Sequence, residues 1–269
     1  MFKLHSLSLF LAAAALAGCQ AVNTTSSGAV GVDRKQYMFS MLSTEQVNQM
    51  YAQSYQQTVS EAKSKGVLKN NSPVAQRVNR IASKLIAEVK AFRPDAAEWD
   101  WDVNVIDSPE LNANAGPGGK IIFYTGLIEK LNLTDDEIAA VMGHEIAHAL
   151  REHGREAMSK AYGVQMATQI GSAVGIGDGS LQLANMGVQY LMTLPNSRSN
   201  ENEADLIGLE LAARAGYNPN AAVSLWQKMA AAGGSAPPEF LSTHPSSGSR
   251  TQALQETIPK VMPLYQPRR

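Results

Sequence analysis

Thr134-Asp135-Asp136-Glu137-Ile138-Ala139-Ala140-Val141-Met142-Gly143-His144-Glu145-Ile146-Ala147-His148-Ala149-Leu150 is the stretch on which the fold turns. Thr134 followed three residues later by Glu137 is a capping box, in which hydroxyl and carboxylate each satisfy a backbone N–H that a helix start would leave orphaned. A helix therefore begins here. It is apolar around most of its circumference as far as Leu150, so its first half is predicted to be buried. Arg151, Glu152, His153, Arg155 and Glu156 then turn it polar, and the whole run to Ala157 reads as one helix. Residues four apart on a helix differ by about 400° and rise by about 6 Å, so His144 and His148 project from one face. Two imidazoles so placed can grip one metal ion.

A catalytic zinc takes three protein ligands and leaves a fourth position to water, whose pKa falls toward about 7. Glu145 is placed to take that proton, and H-E-x-x-H is the pattern in which metalloproteases use the histidines as ligands and the glutamate as general base. Five residues alone also occur in helices that bind nothing, so a third ligand is the deciding question. Glu152 lies about 12 Å along the axis from His144, too far for both to reach one ion at about 2.0–2.2 Å. His153, about 900° round from His144, falls half a turn off the ligand face and reads as a surface or supporting residue. Arg151 stands where metzincins place a glycine before a third histidine. The third ligand has to come from another element.

Ser197-Arg198-Ser199-Asn200-Glu201-Asn202-Glu203-Ala204-Asp205 opens a second helix that runs to about Ala215 and stops at Gly216. Glu201 and Asp205 share a face, so Glu201 can coordinate while Asp205 accepts the free ring N–H of a histidine ligand. Glu203 points about 160° away from Asp205 and reads as a solvated acidic residue favoured by the helix N-terminus.

H-E-x-x-H at His144–His148 followed by Ser-Arg-x-x-Glu-x-x-x-Asp at Ser197–Asp205 resembles the M48 metallopeptidases, over about Val74 to Arg250. The resemblance implies an α+β fold, mostly helical and zincin-like, with a small β-sheet beside the H-E-x-x-H helix. It implies one Zn2+ per chain on His144, His148 and Glu201, with Glu145 as base and Asp205 orienting a ligand. Asn114-Ala115 and the strand carrying Ile121, Ile122 and Phe123 resemble the family's substrate-pairing edge. Ser242-Thr243-His244-Pro245 with Arg250 resembles its C-terminal His-Pro motif. From the residues alone, His244 can donate to a developing oxyanion, occupy the open metal position as a latch, or serve a structural purpose. Arg250 can bind a substrate carboxylate or brace His244, and bracing is the expectation. The implied activity is endoproteolysis of unfolded or misassembled envelope proteins. The other reading is a chaperone or assembly factor for outer-membrane proteins that uses the same groove.

Met1 to Gly18, with Lys3, the apolar run Leu7 to Leu16 and then small residues, has the layout of a secretory signal. Leu16-Ala17-Gly18-Cys19 resembles a bacterial lipobox, and Cys19 is the chain's single cysteine, so the expectation is a protein acylated on Cys19 and held on a membrane by those chains. Gln20 in the next position resembles outer-membrane sorting, facing the periplasm. Residues 19–40, rich in Ser, Thr, Gly and Asn, read as a flexible tether, 41–258 as one metallopeptidase domain, and 259–269 as an irregular tail. A net charge of -1 with 17% charged residues gives no reason to expect a nucleic acid. Gly175-Ile176-Gly177-Asp178-Gly179 lacks phosphate-binding spacing, so no nucleotide is expected. It divides Tyr162 to Leu194 into two helical pieces that can form either a gate over the site or an ordinary hairpin.

The remaining elements follow from period and capping. Ser43 to Lys65 reads as a helix stopped by Gly66, and Val74 to Phe92 as a core helix with Ser72 as N-cap and Pro73 in its first turn. Trp99 to Ile106 alternates like a strand, Asn112 to Gly119 reads as a loop, and Lys120 to Thr125 as a second strand that can stand at a sheet edge. Pro219 to Ala232 reads as a helix capped by Asn218.

Overall fold

The computed structural model describes residues 19–172, 197–232, 239–244 and 248–267. In chain order, strands β1 (Cys19–Val22) and β2 (Gln36–Phe39) pair antiparallel, and helices α1 (Thr44–Ser64) and α2 (Pro73–Ile86) follow. Strands β3 (Asp102–Ile106), β4 (Ala113–Gly116) and β5 (Lys120–Tyr124) form one sheet and lead into helices α3 (Thr125–Lys130), α4 (Asp135–Leu150) and α5 (His153–Ser172). After residue 196 come α6 (Arg198–Arg214), α7 (Ala221–Ala232), α8 (Glu239–Thr243) and α9 (Gly248–Val261). The architecture is α+β, mostly helical.

The capping box forms as expected: Glu137 N–H donates to Thr134 Oγ1, and Thr134 N–H donates to Glu137 Oε2. Helix α4 is buried along nearly its whole length, walled by α2, α6, α7 and β4. Ser72 caps α2 with proline in its first turn, and Ala75, Val78, Ile81 and Leu85 give it a fully buried face. Its regular part stops at Ile86, and the expected last turn is a separate 3-10 turn at Val89–Ala91. Helix α6 crosses α4 at very close range. A Cβ on Gly143 would lie 2.8 Å from the Gly208 carbonyl oxygen, and one on Gly208 would lie 2.6 Å from His144 N. Two glycines thus let the backbones touch and set the carboxylates of α6 beside the histidines of α4.

The sheet order is β3-β5-β4, with β5 parallel to β3 and antiparallel to β4. This corrects two expectations. The stretch Asn112 to Gly119 is not all loop, because β5 recruits Ala113–Gly116 as its outer partner despite their poor intrinsic strand preference. As a consequence Ile121, Ile122 and Phe123 lie in the central strand, each no more than 1% exposed, with their backbone groups already paired on both sides. They cannot be a substrate-pairing edge. Ile121 and Phe123 face the main core, while Ile122 faces Tyr51 and Tyr55 of α1.

Four further stretches differ from the sequence reading. Residues 19–40, read as a tether, are built into the body: Val30, Val32 and Gln36 are buried, Ser26 N–H donates to Phe92 O at 2.8 Å, and Val30 N–H to Glu210 Oε2 at 3.0 Å. Pro259, read as the start of an irregular tail, lies inside α9. The run 134–157 is two helices, because Glu152 takes a left-handed φ of 49° and breaks it after Leu150. The strand expected from Trp99 begins only at Asp102, and Trp99 and Trp101 stack on each other at 5.5 Å before it. The leader Met1–Gly18 and the Gly175–Gly179 break lie outside the described residues, as does the side chain of Cys19.

Candidate metal centre

Helix α4 supplies His144 and His148, the first turn of α6 supplies Glu201, and the residue after α8 is His244; all four are buried and their donor atoms lie within 4.8 Å of one another. His148 Nε2 is 3.1 Å from His144 Nε2, and His144 Nε2 is 3.2 Å from His244 Nδ1. Glu201 Oε1 is 3.0 Å from His244 Nδ1 and 3.3 Å from His148 Nε2. Donors on a tetrahedral zinc, at about 2.0–2.1 Å from it, are separated by about 3.3 Å. These distances therefore have the length of the edges of such a tetrahedron.

The protonation of the rings points the same way. A neutral imidazole carries one N–H. His144 directs Nδ1 to Asp205 Oδ1 at 3.0 Å, and His148 directs Nδ1 to His153 Nδ1 at 2.9 Å. If each ring spends its proton there, two Nε2 lone pairs face each other across 3.1 Å, an arrangement that calls for a cation between them. The carboxylates favour positive charge at the same place: burial resists charge on His144, but Asp205 and Glu201 outweigh it and raise its pKa to about 9. Burial also opposes charge on Glu201, yet the close approach of His144, His148 and His244 holds it well below the usual carboxylate range. Burial pushes His244 down to about 4. Three imidazoles and one ionised carboxylate are a donor set suited to zinc.

Glu145 lies beside the cluster, against β4. Its Oε2 accepts the N–H of Ala115 at 3.2 Å, while its buried Oε1 has no hydrogen-bond partner among the described residues and sits 3.4 Å from His244 Nε2. Burial raises its pKa to about 8, against the pull of His144. A carboxyl group poised near neutrality with one free oxygen is fitted for proton transfer. Ala115 and Asn114 belong to β4, the outer strand, so the edge beside Glu145 is β4 and not β5.

Around this cluster the remaining assignments divide. Arg250 Nε and Nη2 grip Asp205 at 2.6 and 2.7 Å, and Nη1 lies 2.7 Å from Glu201 Oε2. Arg250 thus braces two carboxylates where His244 was the expected partner. Its guanidinium lies 4.0 Å over Trp226. Glu203 is buried, contrary to the solvated reading, and meets Arg151, Arg34 and His153. His153 is 1% exposed and touches His148. Of the two readings of His153 the supporting one fits; its angle was counted on an unbroken helix, which neither Gly nor Pro shows to break at the left-handed Glu152, whereas Glu203 keeps its angle on α6 and is buried because partners meet it there. Glu152, excluded as a ligand by distance, pairs with Arg93 and Arg155 instead.

The model of peptidase family M48 matches residues 72–258 of this chain. The mitochondrial metalloendopeptidase OMA1 of Schizosaccharomyces pombe is 32% identical over 224 residues, which cover 82% of this chain and 64% of that protein. The metalloprotease LoiP of Escherichia coli is 28% identical over 249 residues, covering 91% of this chain and 93% of the relative. The β-barrel assembly-enhancing protease of Yersinia pestis is 26% identical over 200 residues, 71% of this chain and 40% of that one. The chain thus spans 64% of the length of the yeast OMA1 proteins, from Schizosaccharomyces pombe and Saccharomyces cerevisiae alike.

Proposed function

The chain belongs to peptidase family M48, and from that premise we propose that it is a zinc-dependent endopeptidase of the bacterial cell envelope. The observation that carries the reading is the convergence of His144, His148 and Glu201 at tetrahedral spacing beside a carboxylate, Glu145, one oxygen of which makes no hydrogen bond among the described residues. A bound zinc ion would polarise the scissile carbonyl and acidify a water. Glu145 Oε1 would take that water's proton and later deliver it to the leaving amine nitrogen, one group serving as base and then acid. Ala115 N–H holds Glu145 in place through its other oxygen. An extended substrate would lie along the outer edge of β4, past Asn114 and Ala115.

His244 fills the fourth corner of the cluster in this arrangement. A catalytic site needs that corner for water, so His244 would act as a latch that must withdraw before catalysis, and its ring would then be free to face the reacting carbonyl. This feature also favours the second reading, a chaperone or assembly factor whose proteolysis is held in check. The lipobox-like Leu16-Ala17-Gly18-Cys19 supports anchoring through acylated Cys19, and Gln20 after it supports the outer membrane, facing the periplasm; among the described residues no helix is long and apolar enough to cross a membrane. Unfolded or misassembled envelope proteins would be the substrates. The family domain would occupy about 41–258, with 19–40 packed on it.

Metal analysis of the purified protein tests the site. The native chain is expected to hold a single zinc ion and the Glu201→Ala chain to lose it. Full retention of zinc in that variant would remove Glu201 from the ligand set.

A further inference from the structure

His148 meets the cluster through Nε2 and turns Nδ1 outward, where a histidine ligand ordinarily donates to a carboxylate or a carbonyl. Here the partner is a second imidazole. His153 Nδ1 lies 2.9 Å from His148 Nδ1, and its other nitrogen, Nε2, lies 3.2 Å from Glu203 Oε2. An ionised carboxylate only accepts, so Glu203 draws the single proton of a neutral His153 to Nε2 and leaves Nδ1 as a lone pair. That lone pair can be approached only by an N–H, so His148 must carry its own proton on Nδ1. Its Nε2 is thereby left bare and aimed at the metal position. Two consecutive hydrogen bonds thus transmit one choice of proton from a carboxylate to a ligand.

The carboxylate at the head of this line is itself held. Arg151 Nε donates to Glu203 Oε2 at 2.9 Å, and Arg34, from the segment between β1 and β2, donates to Glu203 and to both oxygens of Glu156, at 2.8 and 2.9 Å. Arg151 is fully buried and also donates to Asn23 and Thr25, at 2.7 and 3.2 Å, and to the Arg34 carbonyl at 2.7 Å. The left-handed Glu152, with its φ of 49°, is what allows the line to exist. A continuous helix would carry His153 about 140° round from His148, whereas the break swings it back beneath that ring.

We propose that His153 is a positioning residue for His148, set by Glu203 and clamped through Arg34 and Arg151 to the N-terminal segment, so that residues 23–36 are part of the metal centre. The inference rests on the zinc-site reading above and extends it to residues that touch neither metal nor substrate.

The test uses the full chain. Zinc affinity is measured by competition with a chromophoric chelator, and the visible spectrum of the Co2+-substituted protein reports ligand geometry. His153→Leu is expected to weaken zinc binding by about 10- to 100-fold and to shift the Co2+ bands. His153→Asn, whose carboxamide oxygen can accept from His148 Nδ1–H, is expected to recover most of that loss. Because the leucine variant can fail to fold, nitrogen-15 NMR of the histidines in the native zinc-loaded protein supplies an independent measurement. His153 is expected as the Nε2–H tautomer. A native spectrum with His153 protonated on Nδ1 would overturn the proposal, as would a folded His153→Leu chain with native zinc affinity and Co2+ spectrum. A folded His153→Asn chain as impaired as the leucine variant would do the same. If the native chain itself binds no zinc, the site reading falls first. If it binds zinc and His153→Leu binds equally well, only the positioning role falls.

Discussion

His144 and His148 leave the same face of α4, and each has its outer ring nitrogen engaged, but the two sides of the helix do this differently. On the His144 side the support is short: Asp205 accepts directly, Arg250 grips Asp205 with two nitrogens, and Trp226 lies beneath the guanidinium. On the His148 side it is long, passing through His153 and Glu203 to Arg151 and Arg34. Helix α6 supplies the carboxylate on both sides and in the middle, through Asp205, Glu203 and Glu201. Residues two apart on a helix would ordinarily serve opposite faces. They can serve one site here because the Gly143–Gly208 contact sinks α4 into α6, so that both flanks of α6 meet it. One support thus draws on the C-terminal helix α9 and the other on the N-terminal segment, which ties the C-terminal end of the family domain and the segment that precedes the domain to one cluster.

The largest expected effect separates both supports from the reaction they serve. Glu145→Gln should lower cleavage of an unfolded test protein by about 10²- to 10⁴-fold while zinc content stays native, as read by proteolysis assay and metal analysis on the same sample. Loss of the zinc as well would make Glu145 part of the support. Next comes Asp205→Ala, which strips acceptors from His144 and from Arg250 at once. Leaving a buried guanidinium short of a partner should cost about 3–5 kcal/mol in urea unfolding, along with about 10- to 100-fold in zinc affinity. Asp205→Ala should therefore exceed His153→Leu, which acts on one ligand alone; equal losses would mean that the two sides are equivalent. Gly208→Ala should cost less, about 1–3 kcal/mol of overpacking, because its Cβ would meet His144 N at 2.6 Å and the Gly143 carbonyl carbon at 2.7 Å. It should weaken zinc binding through both sides together. A folded variant with native zinc affinity would show that the close crossing is not what aligns them.

The short support was readable in the sequence and the long one was not, for physical reasons. A capping box, an i,i+4 histidine pair and an i,i+4 Glu201/Asp205 pair are local periodicities, and helices preserve them. The axial distance that excluded Glu152 as a ligand is equally local. The place of His153, and so its pairing with Glu203, depends on one non-glycine residue, Glu152, adopting a left-handed conformation that its side chain does not favour. Only the tertiary contacts of the finished fold impose it, through Arg93 and Arg155 on its carboxylate. The N-terminal segment misleads for a related reason. Ser, Thr and Asn suit a spacer, but the same side chains are compact hydrogen-bonding groups, and Asn23 and Thr25 spend theirs on Arg151. Strand β4 is Ala-Asn-Ala-Gly, a sequence with little strand preference of its own, and it exists because β5 offers it a ladder.

The smallest expected effect probes the outermost link of the long side. Arg34 is 31% exposed in its side chain, so replacing it by methionine should cost only about 1 kcal/mol at neutral pH, near the range of partly solvated ion pairs. Its dependence on pH is the sharper measurement. Burial works to raise the pKa of Glu156 and Glu203, but hydrogen bonds from Arg34 and Lys160 to the first, and from His153 and Arg34 to the second, hold both down from 4.5 to about 2. A carboxylate whose folded pKa is depressed binds fewer protons folded than unfolded between those values. Its stabilisation is therefore complete above about pH 5 and drains away as the pH falls toward 2. Without Arg34 both pKa values should move back up, and the variant has less to lose. Urea unfolding of the metal-free proteins, where ligand protonation cannot displace zinc, should show the gap between native and Arg34→Met chains closing as the pH falls from 5 to about 2.5. Parallel curves would mean that Arg34 packs against the body without setting the charge of Glu203, and the long support would then end at Arg151.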